Sequence, residues 1–225
     1  MILRQPSPRL YLVTPLLGDT APFVDPLAAA LEAGDIAAVL LRLEDADERT
    51  LINRAKSLAA IVQRGDVALL LAGRAELVAR AGPDGAHLTG IEALEAALPV
   101  LKPDRIAGAG GLASRHDAMV AGERGADYVM FGEPASLLSA HPGEGLAAGR
   151  RPPLDAVLER VTWWAELFQP PCIGYAAHLD EVDALAQAQA DFVALGDWIW
   201  THAQGPAAAV TAAAGRLAAP AAAQP

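Results

Sequence analysis

Apolar and polar positions follow a strand-helix-strand rhythm along this chain, and residues 66–90 show it most clearly. A short apolar run at 67–71 is typical of a strand that is buried on both faces. Residues 74–81 then carry leucine and valine at helical spacing, and a Gly-Pro-Asp-Gly turn leads to a second apolar run at 86–88. Such a unit needs two parallel strands joined by a right-handed crossover.

The same rhythm recurs through most of the chain. Strands are predicted at residues 9–14 (ended by a proline), 37–42, 67–71, 86–88, 105–108, 128–132, 172–176 and 192–195. Helices are predicted at residues 23–33, 47–63, 74–81, 92–98, 114–124, 154–168, 179–188 and 206–217. Residues 133–153 have no clear periodicity, which is typical of a functional or disordered loop.

Eight strands alternating with about eight helices predict an α/β fold of the closed (β/α)8 TIM-barrel type. A length of 225 residues allows one large domain or two small ones. We predict a single barrel over residues 1–217 and an Ala/Pro-rich tail at 218–225. An open doubly wound sheet is the alternative, but no Gly-rich dinucleotide fingerprint follows the first strand. In a barrel, the chemistry is expected at the carboxyl ends of the strands.

Composition narrows the possible partners and the location. Hydrophobic residues make up 53% of the chain and aromatic residues 5%, which suits helices packed on a parallel sheet. The formal net charge of −10 argues against binding to nucleic acid or to an anionic membrane. The sequence shows no targeting segment and no long uncharged apolar stretch, so we expect a cytoplasmic protein. A single cysteine, Cys172, excludes an internal disulfide.

Several motifs together resemble one enzyme family. They are Tyr-Leu-Val-Thr at 11–14, Leu-Arg at 41–42, Asp-Gly-Ala-His-Leu at 84–88, and Gly-Ala-Asp-Tyr-Val at 125–129 followed by Phe-Gly. In order and spacing they resemble thiamine phosphate synthase and its relative, the thiazole tautomerase. The resemblance implies a (β/α)8 barrel. It also implies an enzyme that joins hydroxymethylpyrimidine diphosphate to a thiazole phosphate and releases diphosphate, with Mg²⁺ on carboxylates and cationic side chains on the diphosphate.

This chain departs from the family pattern at the positions that carry chemistry. The family's Gln-x-Arg-x-Lys on the second strand appears as Leu40, Arg42 and Glu44, and its Asn-Asp pair after the third strand falls on Ala72-Gly73, before a retained Arg74. The other departures are Gly110 or Gly111 and Leu112 for a serine and a histidine, no lysine beyond Lys102, Gly174-Tyr175 for a Gly-Gly phosphate nest, and Asp197 for a serine.

The candidate site residues follow from the strand ends and from the resemblance. The catalytic candidates are Arg42, Arg74 and His87. Candidates for binding a small phosphorylated metabolite are Thr14, Gly110, Gly111, Gly174, Gly196, Arg150 and Arg151. The resemblance leaves Glu92 as a substitute ligand for Mg²⁺, if the protein is active. Whether the gained carboxylates Glu44, Glu133 and Asp197 form a metal site is left open.

Each candidate has a structural alternative. Arg42 and Arg74 can form ion pairs with Glu44, Glu76 or Glu133 at the barrel mouth. His87 at a strand end can be a satisfied structural residue. Glu92 at a helix start is also favoured by the helix dipole. Arg150 and Arg151 can belong to a surface loop, and Cys172 is expected in the core.

Three hypotheses for the function follow. The first is a barrel of this family that has lost the transfer reaction and at most binds a small molecule. The second is an active thiamine phosphate synthase with a rearranged site. The third is a partner-binding protein that uses the helix with Trp163-Trp164, because adjacent tryptophans cannot both face one core, and a homodimer is one such assembly.

Overall fold

The computed structural model describes residues 7–138 and 151–218, and these form a closed barrel of eight parallel strands in the order β1 to β8. β8 pairs with β1 through Leu10 and Val193, which closes the ring. The prediction of a (β/α)8 TIM barrel is confirmed. The strands are β1 (Arg9–Leu17), β2 (Ile36–Leu43), β3 (Ala68–Ala72), β4 (Gly85–Thr89), β5 (Ile106–Gly110), β6 (Tyr128–Phe131), β7 (Cys172–Ala176) and β8 (Phe192–Leu195).

Helices surround the barrel, and most lie where the apolar spacing predicts them. A 3-10 turn at Ala21–Phe23 leads into the first helix. The helices are α1 (Val24–Glu32), α2 (Glu48–Val62), α3 (Ala75–Ala81), α4 (Ile91–Leu101), α5 (Arg115–Arg124), α6 (Ala135–Leu138), α7 (Leu154–Leu167), α8 (Glu181–Gln187), α9 (Asp197–Trp200) and α10 (Pro206–Ala218).

Local signals fix several helix ends. The side chain of Asp47 accepts a hydrogen bond from Thr50 N–H and so caps α2. Ser114 and Asp117 form a capping box at the start of α5. α5 ends at Gly125, whose φ of +99° is the left-handed conformation that glycine adopts without steric cost.

β1 runs past Pro15, where the sequence predicted its end. The β1–β2 register shifts between Val13 and Leu16, so Pro15 lies in an irregular part of the strand. There, the hydroxyl of Thr14 accepts a hydrogen bond from Arg42 N–H (3.0 Å) and donates one to Pro15 O (2.9 Å). A proline has no N–H, so it is tolerated at such a bulge and the strand resumes beyond it.

Two buried clusters divide the interior. The larger one lies between the strands and the helices and contains Leu10 and Leu12, while the smaller one fills the barrel and contains Tyr11 and Val13. Alternate residues of each strand therefore face opposite sides. The residues that face the barrel interior are the ones that can reach a site at its mouth.

The predicted loop at 133–153 contains one short helix, α6, in its described part. The rest of the loop is described only from residue 151, and Arg150 lies outside the described residues. The predicted tail also lies outside them, except for Ala218, which ends α10. α9, directly after β8, has no counterpart among the predicted elements.

Candidate functional site

The carboxyl end of the barrel holds an arginine that points into the interior. Arg42, near the end of β2, is 9% exposed. Its guanidinium donates a hydrogen bond to the carbonyl of Ser136, and its Nη1 lies 3.8 Å from Asp197 Oδ1. Burial lowers the pKa of Arg42, and the nearby Asp197 opposes this shift. The structure thus gives Arg42 an ion-pair partner at the start of α9, just after β8, and not one of the glutamates considered above.

α6 covers this end of the barrel. Leu137 is buried and belongs to the cluster inside the barrel, together with Leu40 and Tyr175. The hydrogen bond from Arg42 to Ser136 attaches the same helix to β2. α6 follows β6 in the chain, and these two contacts hold it against the mouth of the barrel. A ligand that binds the Nη2 group of Arg42 would replace the Ser136 carbonyl.

His87 belongs to a chain of buried polar groups inside the barrel. Its Nδ1 lies 2.9 Å from the hydroxyl of Tyr128, which lies 3.0 Å from the hydroxyl of Tyr11. Burial lowers the pKa of His87 to about 4, so the imidazole is neutral at pH 7. Its Nε2 has no hydrogen-bond partner within residues 7–138 and 151–218.

A second titratable group faces that nitrogen. Glu133, just after β6, has its Oε1 3.9 Å from His87 Nε2 and accepts a hydrogen bond from Gly111 N–H at 2.9 Å. Burial raises the pKa of Glu133 to about 7, although the Gly111 hydrogen bond and the charge of Arg160 oppose the shift. The site therefore contains a carboxyl and an imidazole whose pKa values have moved in opposite directions, as in acid-base sites.

The glycines at the strand ends make room for these side chains. A Cβ on Gly110 would overlap Glu133 Oε1 and His87 Nε2, and one on Gly196 would overlap the Tyr175 hydroxyl. Gly174 lies against Leu185 of α8 in the same way. Gly111 has a φ of +65° and directs its N–H to Glu133. Phosphate binding by these four glycines and by Thr14 stays a prediction.

Arg74 and Glu92 lie nearer the surface. Arg74 follows β3 and pairs with Asp45, which follows β2. Glu92 is an exposed residue in the first turn of α4. Across residues 7–138 and 151–218, no three His, Cys, Asp or Glu side chains converge so that they could hold a metal ion. These side chains do not fit a Mg²⁺ held by several carboxylates, and the part of Glu92 in metal binding stays a prediction.

Arg151 is fully engaged in hydrogen bonds within the protein. Its guanidinium binds both carboxylate oxygens of Glu181 at 2.7–2.8 Å and donates to the carbonyls of Gly132 (2.8 Å) and Tyr175 (2.7 Å). Glu181 also accepts from Ala177 N–H at 2.7 Å. This geometry ties β6, β7 and α8 together, so Arg151 acts as a clamp in this structure.

The tryptophans are used mainly for packing. Trp164 is completely buried and donates to Pro170 O, whereas Trp163 is half-buried beneath the guanidinium of Arg115, 5.0 Å from its ring centre. The sequence interpretation that the two cannot share one core agrees with this difference. Cys172 is buried, and burial raises the pKa of its thiol to about 12, as expected for a core residue.

Sequence reasoning missed several members of the site. Tyr11 and Tyr128 were assigned to strands and to the family motifs but not to the site, although the alternation of their strands could have placed both side chains inside the barrel. The roles of Glu181 and Arg160 depend on contacts distant in sequence, and the short α6 has too few residues for a periodic signal.

Comparison with known proteins agrees with this architecture. The sequence profile of the family described as "Thiamine monophosphate synthase" matches residues 10–137. The thiamine-phosphate synthase of Rhodospirillum centenum is 41% identical over 209 residues, covering 90% of this chain and 94% of the relative. That of Hyphomonas neptunium is 36% identical, covering 92% and 93%.

Solved structures share the fold at lower identity. Thiamine phosphate pyrophosphorylase from Pyrococcus furiosus superposes with a TM-score of 0.73 at 20% identity, over 93% of this chain and 95% of that one. A 3-hexulose-6-phosphate synthase gives a TM-score of 0.67 at 16% identity, over 93% of this chain and 100% of that one.

A closed barrel of eight parallel strands with interleaved helices defines a TIM-barrel protein. The profile match and the full-length relatives place the chain within that class: it belongs to the thiamine monophosphate synthase family. No helix in the described ranges has both the length and the apolar character needed to span a bilayer.

Proposed function

We propose that this protein is an active transferase of its family and forms thiamine phosphate from hydroxymethylpyrimidine diphosphate and a thiazole phosphate. The observation that carries the proposal is the Arg42 guanidinium, which is held inside the barrel mouth under α6. Relatives that share 41% and 36% identity over nearly their full length and are named thiamine-phosphate synthase support it. The proposal replaces the expectation, drawn from the altered motifs, that the transfer activity is lost.

In this reaction the bond between the pyrimidine methylene and the diphosphate oxygen breaks, and the thiazole nitrogen forms a new bond to the methylene. The leaving diphosphate keeps the bonding electron pair and gains negative charge. A buried guanidinium stabilises such charge by paired hydrogen bonds, and its effect is greater where water is excluded. Arg42 can act in this way after it exchanges the Ser136 carbonyl for a phosphate oxygen.

Arg74 supplies a second cation at the carboxyl end of the neighbouring strand. β2 and β3 are paired and parallel, so Arg42 and Arg74 lie at the same end of the barrel. Arg74 is paired with Asp45 at the surface, with 30% of its side chain exposed. We propose that it binds the outer phosphate of a substrate at the rim of the mouth, while Arg42 acts deeper in the barrel.

The test is product formation by the purified protein. With both substrates and Mg²⁺, we expect thiamine phosphate and diphosphate in equal amounts. Arg42→Gln should reduce kcat by at least about 100-fold, as expected for the loss of a charge-stabilising donor. Arg74→Ala should mainly raise KM. Arg80→Ala is the matched control, since Arg80 pairs with Glu48 on the exposed side of α3, and it should keep wild-type kinetics.

A barrel that binds a small phosphorylated metabolite without turnover is the second candidate. One observation favours it: the positions of the family's Asn-Asp pair are Ala72 and Gly73, and Gly73 N–H is bonded to the His87 carbonyl at 2.9 Å. Calorimetric titration with each substrate, followed by detection of the product, separates the two candidates. Binding without product supports the second candidate, whereas binding with product supports the transferase.

We also propose that the protein is cytoplasmic and forms a homodimer through α7. Leu167 on this helix is 65% exposed and Trp163 is half-buried, which suits a helix that packs against a second copy. In sedimentation velocity, Leu167→Glu should then shift a dimer to a monomer. A wild-type protein that is monomeric at 100-fold different concentrations would contradict the dimer.

A further inference from the structure

A cavity lies at the amino-terminal end of the barrel, opposite the candidate active site. Its lining includes the first residues of several strands, among them Arg9 of β1, Ala68 of β3, Tyr128 of β6 and Phe192 of β8. Because all eight strands are parallel, these residues lie at one end of the barrel. The cavity has a volume of about 330 Å³.

The cavity arises from small side chains at inward positions. The interior of a (β/α)8 barrel is normally filled by layers of bulky branched residues. Here Ala38 and Ala68 face each other in the β2–β3 register and contribute to the cluster inside the barrel. Two alanines side by side leave space that a leucine or an isoleucine would otherwise fill. The remaining wall includes hydrocarbon from Leu70 and Ile106.

The charged residues at this end already have partners. Arg9 binds Asp35 at 2.8 Å and the Ile36 carbonyl at 3.0 Å. Asp127 binds Lys102 at 2.5 Å and accepts from Ala107 N–H at 2.7 Å. A charged ligand would have to break these pairs or lose its hydration without compensation. The wall therefore favours an uncharged ligand.

The rings in the wall favour an aromatic ligand. Tyr11 and Tyr128 pack edge to face inside the barrel with ring centres 6.1 Å apart, and Phe192 lies in the same wall. Aromatic rings gain from offset or edge-to-face contacts with a further ring. An engineered apolar cavity of about 150 Å³ holds one benzene molecule, so a cavity roughly twice as large accepts two fused rings.

We propose that this cavity is a binding site for a neutral aromatic molecule of about two fused rings, separate from the substrate site at the carboxyl end. The proposal does not depend on the transferase reaction. A ligand in the cavity would also affect the environment of His87 towards the other end of the barrel, because the Tyr11 and Tyr128 hydroxyls form a hydrogen-bond chain to His87.

The test is titration of the full-length protein with indole by calorimetry and by NMR of the tyrosine ring signals. We expect one molecule of indole per chain and shifts of the Tyr11 and Tyr128 signals. Ala68→Leu, which fills the cavity, should weaken binding at least tenfold. Ala72→Leu is the matched control, because it lies on the same face of the same strand at the other end of the barrel, and it should bind within twofold of wild type.

Three results would overturn the proposal: no binding of indole by the wild-type protein at millimolar concentration, equal binding by Ala68→Leu and wild type, or shifts confined to residues at the carboxyl end. If Ala68→Leu does not fold, Ala38→Val provides the same test with a smaller change. Indole-3-acetate, which carries a negative charge, should bind at least tenfold more weakly than indole. Equal affinity for the two probes would contradict the assignment of a neutral ligand.

Discussion

The buried pair of Glu133 and His87 makes a specific prediction about stability and pH. Burial raises the pKa of Glu133 from 4.5 to about 7, so the folded protein holds this proton more tightly than the unfolded chain does. The free energy of unfolding contributed by Glu133 is fully present below pH 4.5. It is lost as the pH rises towards 7.

His87 contributes with the opposite sign. Burial lowers its pKa from 6.5 to about 4, so the unfolded chain binds this proton more tightly than the folded protein does. The contribution of His87 is therefore fully present above pH 6.5 and is lost as the pH falls towards 4. Tyr11 and Tyr128 also bear on the pair, and burial raises the pKa of each above its ordinary value of 10, so neither titrates in this window.

The magnitudes follow from the two shifts. Each pKa moves by about 2.5 pH units (4.5 to 7, and 6.5 to 4), and one unit corresponds to about 1.4 kcal/mol. Each group alone therefore changes the free energy of unfolding by about 3 kcal/mol over its window. In the wild-type protein the free energy of unfolding changes little between pH 4.5 and 6.5, because the His87 contribution rises with pH while the Glu133 contribution falls.

The assay is urea denaturation at half-unit steps from pH 4.5 to 7.5. Glu133→Gln keeps an acceptor for Gly111 N–H, and its stability should rise by about 2 kcal/mol from pH 4.5 to 6.5 relative to the wild-type profile, because this range covers most of the His87 window. His87→Asn keeps a polar partner for Tyr128, and its stability should fall by about the same amount up to pH 7. Burial is the main cause of both shifts, so each variant should retain the shift of the other residue. Parallel profiles for the three proteins would refute the reasoning.

Two further predictions concern side chains that the structure uses for support. Arg151→Ala leaves Glu181 buried without its charged partner and should lower the free energy of unfolding by about 3 kcal/mol in urea denaturation. The double variant Arg151→Met with Glu181→Leu should recover most of this loss. A loss below about 1 kcal/mol in the single variant would contradict the supporting role of the pair. Gly110→Ala should displace the Glu133 side chain and lower the free energy of unfolding by about 1–3 kcal/mol. It should also remove the contribution of Glu133 to the pH profile of stability. Gly215→Ala is the control, because Gly215 has open space around it, and it should not destabilise the protein. An unchanged pH profile in Gly110→Ala would contradict the placement of Glu133.

The barrel could be predicted from the sequence because each strand-helix unit carries its own signal. The apolar runs at β3 and β7 and the turn at Gly82 and Gly125 need no information from distant residues. The end of β1 could not be placed, because Pro15 is accommodated by a bond between Thr14 and Arg42, 28 residues apart. The four-residue α6 gave no signal, since a single helical turn shows no periodicity.

The sequence could predict which side chains lie near the carboxyl strand ends but not which side chains they contact, and their functional roles stay predictions. The strand-end rule led to Arg42, His87 and Gly110; the structure places Arg42 near the mouth and His87 deeper inside the barrel, against Gly110. It could not show that Arg42 would pair with Asp197 or that His87 would join Tyr128. These partners are set by barrel closure, which brings β2 near the start of α9 and brings side chains of β4 and β6 together.

The most direct test of the central claim is a single-turnover experiment with protein in excess over hydroxymethylpyrimidine diphosphate, with saturating thiazole phosphate and Mg²⁺. Rapid quenching and mass detection of thiamine phosphate would measure bond formation apart from product release. The account predicts one equivalent of product from the wild-type protein and a bond-forming rate at least about 100-fold slower in Arg42→Gln. No product from the wild-type protein, although it binds both substrates, would contradict the proposed transferase function.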